Sequence, residues 1–353
     1  LSWSPLTFGP MAAACAAVIV LVAALAVPFF LVAVSPQSKE ALHGFFLEWC
    51  SRPEAPTVLE ADDDNLATAH VVYASNPEHF LGLLGSMLSL SRHLAEAQSC
   101  WIHVLVEKVH LDQAEAVLGC FRRELAALPV IPKVTLHELR PIPFNTSQFY
   151  DANFFKGHDG RHTVKAETYA RFYLHEYLPT APRALWIDTD TIVRADIRPL
   201  YQMRLRHALA AVPQPDPLES YLRKMRVLRR LPDGFRMSEV LNFFNAGVLL
   251  LDLQRWREEN FTASLEQWVH RFGGIDGDQL ALNLEFNDKY HPLDWHWNFE
   301  TLGWMPWQIP DNCASEGKIL HWSGPHKPWN ASRVMRLPNE VLWEHPRLSC
   351  TFR

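Results

Sequence analysis

No two cysteines in this chain have the C-x-x-C spacing, which removes zinc-ribbon and dithiol redox centres from consideration. No long run of Lys or Arg exists and the net charge is −6, so there is no electrostatic footprint for nucleic acid. Internal repeats and low-complexity tracts are missing too, which argues against a solenoid or an array. Cysteine itself is sparse, with six in 353 residues. Cys15 falls inside an apolar run, leaving Cys50, Cys100, Cys120, Cys313 and Cys350. That odd number fits one or two disulfides plus a free thiol, with the pairing open.

The length and an apolar content of 48% allow one large α/β domain behind a non-globular N-terminal part. Residues 1–10 form a short leading segment. Residues 11–34 carry no charge, enough to cross a bilayer as a helix, and Pro28 is tolerable there. Two readings fit this run. The length favours an uncleaved transmembrane signal-anchor, whereas Ala33-Val34-Ser35 resembles a signal-peptidase site. No Lys or Arg precedes the run and Lys39 follows it, so charge barely orients it. Residues 35–69 hold Pro36, Pro53, Pro56 and the acidic cluster Asp62-Asp63-Asp64, and read as a stem. Three sequons, at Asn145, Asn260 and Asn330, point to a lumenal location for the part that follows. Residues 339–353 read as a tail.

From residue 70 the pattern alternates. Strands are expected at 70–75, 101–106 and 133–139, with helices at 80–94 and 112–128 between them. Further strands are expected at 184–187, 208–212 and 247–253. The last precedes a helix with Trp256, Phe261, Leu265 and Trp268 on one apolar face. Such alternation predicts a mostly parallel sheet flanked by helices, with ligands outside the carboxyl ends of the strands. Residues 213–240 are rich in charge and Pro and read as a surface excursion. It either borders an acceptor groove or is simply solvated. Thirteen Trp is many, and six crowd residues 295–329. Burial in the core accounts for most of them better than stacking on sugar rings.

The decisive feature sits at the end of the strand Ala184-Leu185-Trp186-Ile187, where Asp188-Thr189-Asp190 follows. Residues i and i+2 of a strand point the same way, so both carboxylates can converge on one hard cation. A second strand, Lys318-Ile319-Leu320, delivers His321, with Gly324 and Lys327 just behind. Two acids, an imidazole and an ammonium suit a divalent metal, Mn²⁺ or Mg²⁺, gripping a nucleotide diphosphate. Asp-x-Asp alone is weak, since Asp62/Asp64 and Asp276/Asp278 repeat it.

Context supplies what the triplet lacks. The blocks Ala170-Arg171-Phe172-Tyr173-Leu174, Leu185-Trp186-Ile187-Asp188-Thr189-Asp190, Phe244-Asn245-Ala246-Gly247-Val248, Gly277-Asp278-Gln279 and His321-Trp322-Ser323-Gly324 with Lys327-Pro328-Trp329 occur in this order. Over residues 71–329 they resemble glycosyltransferase family 8, retaining sugar-nucleotide transferases with a GT-A Rossmann-like fold. The resemblance implies a catalytic domain over residues 70–338. It implies transfer of a hexosyl or pentosyl unit from a UDP-sugar to a glycan or glycoconjugate acceptor, in the Golgi or ER as a type II membrane protein.

It also implies roles. Asp188, Asp190 and His321 would ligate Mn²⁺, with Thr189 beside the nucleotide. Gly324 and Lys327 would meet the phosphates, and Lys165 and Arg171 would sit over the donor. Ala74, Ser75 and Asn76 would touch the nucleoside. Family members often carry an Asp near Asn76 and an aromatic near His79; here His79 or Phe80 is left to stack on the base. Asn245, Ala246, Asp278 and Gln279 would line the donor sugar, with Gln279 nearest the anomeric carbon. An amide is a poor nucleophile. This favours same-face transfer over a double displacement, for which Asp278 is the nearby carboxylate. Asp278 also reads as a helix N-cap after Gly277. Two alternatives stand beside the active enzyme: an inactive relative that binds sugar nucleotide or glycan, and a nucleotidyl or phosphoryl transferase.

Overall fold

The computed structural model describes residues 50, 66–96, 99–127, 131–144, 166–214, 217–273, 275, 277–303, 311–324, 326–330 and 343. All but Cys50 belong to one compact unit, Pro53–Tyr150 with Thr163–Arg353. The expected anchor at 11–34, the stem up to residue 65 (apart from Cys50), Lys165, Trp304, Trp307 and the tail (apart from Trp343) lie outside the described residues. Among the described residues no helix is long and apolar enough to cross a membrane.

Seven strands form the main sheet: β1 (Ala69–Ser75), β2 (Cys100–Val106), β3 (Lys133–Glu138), β4 (Arg183–Ile187), β6 (Leu209–Pro213), β7 (Phe244–Asp252) and β8 (His291–Pro292). Their order is β3-β2-β1-β4-β7-β6-β8. β5 (Thr191–Val193) and β9 (Ile319–His321) pair separately as an antiparallel two-stranded sheet. The first four strands of the main sheet are mutually parallel, as the strand-helix alternation predicts. β7 breaks that rule and runs antiparallel to both β4 and β6. Its reversal has a use: the start of β7 lies at the edge where β1 and β4 end. β7 also begins three residues earlier than expected, so Asn245 and Ala246 are strand residues.

Two helices follow β1 and β2. α1 (Phe80–His93) is buried along nearly its whole length, including Leu83, Leu84, Met87 and Leu90. Asn76 caps the short turn ahead of it by accepting from the Glu78 N–H at 3.0 Å. Arg92 and His93 sit in its last turn, where cations favour the helix dipole. α2 (Leu111–Glu124) buries Ala114, Val117, Leu118 and Phe121, spaced to share one helix face. Each fully buried Leu or Val of this kind stabilises by about 1.5–3 kcal/mol relative to exposure.

Arg171 lies on a 3₁₀ stretch, Ala166–Tyr173, closed by a helical turn at Leu174–Tyr177. The excursion at 213–240 is more than a solvated loop. Its helix α3 (Leu218–Lys224) packs Leu218, Tyr221 and Leu222 with Val227 against Phe272, Leu280 and Leu284. The single helix expected after β7 is two helices, α4 (Leu253–Glu258) and α5 (Phe261–Phe272), broken at Asn260 with φ 52°. The apolar period survives the break, because Trp256, Phe261 and Leu265 all enter the core. Trp186, Phe172, Tyr173 and Phe286 fill that core beneath β4 and β7.

The Trp-rich last quarter is mainly interior: Trp295, Trp297 and Trp322 are buried. Cys120 and Cys313 are disulfide-bonded, as is Cys50, while Cys100 is a buried free thiol. One arrangement has no precedent in the sequence pattern. His70, His103 and His137 stand side by side on β1, β2 and β3. Nδ1 of His70 and Nε2 of His103 are 3.0 Å apart, as are Nδ1 of His103 and Nε2 of His137.

Candidate active site

β4 is entirely buried and ends at Ile187, so Asp188 emerges at the sheet edge, its N–H donating to the Gly247 carbonyl at 2.7 Å. A tight turn follows and leads into β5. β5 pairs with β9 in the register Thr191↔His321, and the Trp322 N–H donates to the Asp190 carbonyl at 2.8 Å. This small sheet brings residues far apart in sequence within bonding distance. Nε2 of His321 lies 3.2 Å from an Asp190 carboxylate oxygen and 3.9 Å from one of Asp188. One ligand atom from each of the three residues falls within 4.8 Å of the others.

That donor set fits the implied metal: two carboxylates and an imidazole are hard-to-borderline ligands of the kind Mn²⁺ takes. The turn is stiff from below. Tyr73 Oη lies 3.1 Å from Ser86 Oγ, which lies 2.8 Å from Thr191 Oγ1, and Thr191 in turn donates to the Asp188 carbonyl at 2.9 Å. Thr189 is buried in the turn, and its carbonyl packs so tightly on α1 that only Gly82 fits there.

Charge is closely matched around Asp190. Burial alone would push its carboxyl up, but the Lys327 ammonium and then the His321 ring outweigh it and hold it below the ordinary range. Lys327 donates to Asp190 and to the Trp322 carbonyl. Burial disfavours a charged His321 ring, yet Asp190, Asp188 and Glu300 raise its pKa. Glu300 is buried, which raises its own pKa; it accepts from Ser323 Oγ at 3.0 Å.

Arg171 is the hub of the other half. It lies almost fully buried over the Trp186 ring. It donates to the Ala246 carbonyl and to Asp188 at 3.1 Å, and its Nε is 3.0 Å from Asp278. Asp278 therefore does not serve as an N-cap. It lies in the first turn of α6 (Gly277–Glu285), with its carboxylate on Arg171. Gln279 accepts the Ala246 N–H at 3.0 Å, and Asn245 accepts the Gly247 N–H at 2.8 Å. Asp188, Asp190, His321, Lys327, Arg171, Asn245, Ala246, Asp278 and Gln279 thus form one connected set.

The nucleoside end is looser. Ala74, Ser75 and Asn76 end β1 beside β4, with Ser75 and Asn76 buried. Phe80 is buried in α1, so it is not free to stack on a base. His79 is half-buried and meets Trp329 edge-on at 5.7 Å, while the Trp329 indole donates to the Glu78 carbonyl. Gly324 has φ 115°, a backbone that favours glycine.

Sequence reasoning missed two asparagines. Asn298, fully buried, lies 2.9 Å from Nδ1 of His321 and donates to Asn245 at 3.0 Å. Asn283 on α6 clamps both the N–H and the carbonyl of Phe244, at 2.8 and 2.9 Å. Both sit in aromatic or apolar stretches, where only their polarity hints at a role.

The model of glycosyl transferase family 8 matches residues 70–333. The chain belongs to glycosyl transferase family 8. Among curated members, mouse glycosyltransferase 8 domain-containing protein 2 is 26% identical over 249 residues, covering 62% of this chain and 70% of that protein. The Xenopus tropicalis glycosyltransferase 8 domain-containing protein 1 is 29% identical over 211 residues, covering 52% and 55%. For most of these family 8 relatives, the chain spans little more than half their length. Two solved GT-A neighbours show the same fold. The galactosyltransferase LgtC with donor and acceptor sugar analogues has a TM-score of 0.54 at 20% identity, covering 80% of this chain and 96% of that one. GlyE of Streptococcus pneumoniae has 0.51 at 23%, covering 79% and 61%.

Proposed function

We propose that this family 8 chain is a metal-dependent, retaining glycosyltransferase that moves a hexosyl or pentosyl unit from a UDP-sugar to a glycan or glycoconjugate acceptor. The observation that carries this reading is the convergence of Asp188, Asp190 and His321 within 4.8 Å. These residues would hold Mn²⁺ or Mg²⁺, which when bound supplies Lewis-acid stabilisation of the departing diphosphate. The ammonium of Lys327, already at Asp190, is placed to turn to a phosphate oxygen and offset its charge. Gly324, with no side chain, lets phosphate approach the main chain.

Arg171 orients both Asp188 and Asp278 and so couples the ion side of the site to its sugar side. Asp278, committed to Arg171, is positioned to accept hydroxyl hydrogen bonds and is a blunted nucleophile. Gln279 has its carbonyl oxygen on the Ala246 N–H, and an amide is a poor nucleophile. Both features support same-face transfer, in which the leaving phosphate oxygen receives the acceptor proton. Trp329 and His79 border the end of β1, where the uracil would lie.

The setting belongs to the same proposal. Disulfide-bonded Cys120 and Cys313 support an oxidising compartment. With the apolar run 11–34 and the sequons, this supports a Golgi or ER type II anchor with a lumenal catalytic part. Asn260, of the second sequon, is exposed and open to glycan attachment.

The test is UDP release and sugar transfer with UDP-glucose, -galactose, -xylose, -glucuronate and -galacturonate, each with Mn²⁺ and with chelator. Transfer with one donor, lost on chelation, is expected. No release with any donor would favour a sugar-nucleotide binder, and products other than UDP a nucleotidyl or phosphoryl transferase.

A further inference from the structure

We infer that Asn298 is a positioning residue, deciding which ring nitrogen of His321 faces the acidic pair and tying that ring to Asn245. The inference rests on the metal-centre reading above. It starts from one group with no ambiguity, the main-chain N–H of Gly247, a donor only. That N–H points at Oδ1 of Asn245 from 2.8 Å, which identifies this amide atom as the oxygen. The Asn298 atom 3.0 Å from the same oxygen must then be its nitrogen, Nδ2, because two oxygens there would repel.

With Nδ2 committed, the Asn298 atom 2.9 Å from His321 Nδ1 is Oδ1, an acceptor, so Nδ1 carries hydrogen. Nε2 is left as the nitrogen presented to Asp190 and Asp188, at 3.2 and 3.9 Å. A single backbone donor thus sets three otherwise ambiguous groups in succession. No water competes, since Asn298 is 0% exposed. Hydrogen bonding of this kind orients metal-binding imidazoles and tunes their affinity. A second consequence follows for Asn245. Its oxygen already takes two donors, so its free face offers N–H groups, which suit a sugar hydroxyl or phosphate oxygen.

Calorimetric titration with Mn²⁺ alone tests this on the wild type, His321→Ala, Asn298→Leu and Asn298→Asp, each first checked by thermal melt. Asn298→Leu removes both hydrogen bonds, so its Mn²⁺ affinity should fall about 10–100-fold. Asn298→Asp keeps an acceptor for Nδ1–H but turns an oxygen on Asn245. Its Mn²⁺ affinity should stay within about threefold of wild type while KM for the UDP-sugar rises.

A folded Asn298→Leu that binds Mn²⁺ as wild type overturns the inference, as does Asn298→Asp binding as poorly as Asn298→Leu. Should Asn298→Leu not fold, Asn298→Asp decides: Mn²⁺ held with KM raised supports the inference, and both unchanged overturns it. His321→Ala separates the two levels. Loss of Mn²⁺ there, with Asn298→Leu unaffected, sinks this inference alone. A wild type that ignores Mn²⁺ sinks the metal reading and the inference with it.

Discussion

The imidazole of His321 packs on Gly247 so closely that a Cβ there would stand 2.1 Å from the ring's Cε1 and 2.7 Å from its Nδ1. Gly247→Ala should therefore push the ring off the acidic pair without disturbing β7, whose ladder bonds are main-chain. Mn²⁺ affinity and turnover should each fall at least about tenfold, some 1.4 kcal/mol, and the overpacking should lower Tm by an amount matching about 1–3 kcal/mol. Calorimetry and UDP release read the first two, and a melting curve the third. Unchanged Mn²⁺ binding would show that the ring has room to move aside.

Asp190→Asn keeps the shape of the turn and removes the charge that Lys327 and His321 address. Transfer should disappear and Mn²⁺ binding weaken sharply, while the circular dichroism spectrum is preserved. Global unfolding of this variant would mean that the carboxylate is architectural.

Arg171 is buried among two carboxylates and a carbonyl. Arg171→Met takes the guanidinium away from Asp188 and from the buried Asp278 and should cost about 3–5 kcal/mol in urea denaturation. Arg171→Lys keeps the charge but lacks the planar fork that reaches three partners at once. It should recover part of the stability and little of the activity. Full activity in the Lys variant would reduce the hub to a point charge.

The histidine row predicts a pH dependence. Burial, then His70, His137 and Lys133, lower the His103 pKa from 6.5 to about 3, and burial lowers His70 and His137 as well. Below the ordinary value the unfolded chain binds protons that the folded chain refuses. Stability is thus full above about pH 6.5 and falls on acidification, by about 1.4 kcal/mol per pH unit for His103 alone. Between pH 7.5 and 5.5, wild-type Tm should drop about 2–4 °C more than that of His103→Gln. Parallel curves would refute the assignment.

The acidic pair and His321 were legible because each follows a short apolar strand, and strand ends at one sheet edge meet in space. What stayed hidden depended on direction and on partners. Strand-helix alternation predicts parallel neighbours, so the reversal of β7, which brings Asn245 and Ala246 to the edge, could not be read from it. The break at Asn260 left the apolar period intact across α4 and α5 and so gave no warning. Asp278 carries a residue type suited to capping, while in the fold its carboxylate meets Arg171, over a hundred positions earlier. Asn298 sits among tryptophans that drew attention to burial, while its own importance lies in two contacts made only in three dimensions.

The pairing of β5 with β9 has a temporal side. A chain emerging from the ribosome exposes its acidic turn some 130 residues before the histidine that completes the candidate metal site. The nascent protein can build most of its sheet while still unable to hold a cation tightly. The candidate site is therefore completed late and abruptly, when the three-residue strand β9 pairs with β5.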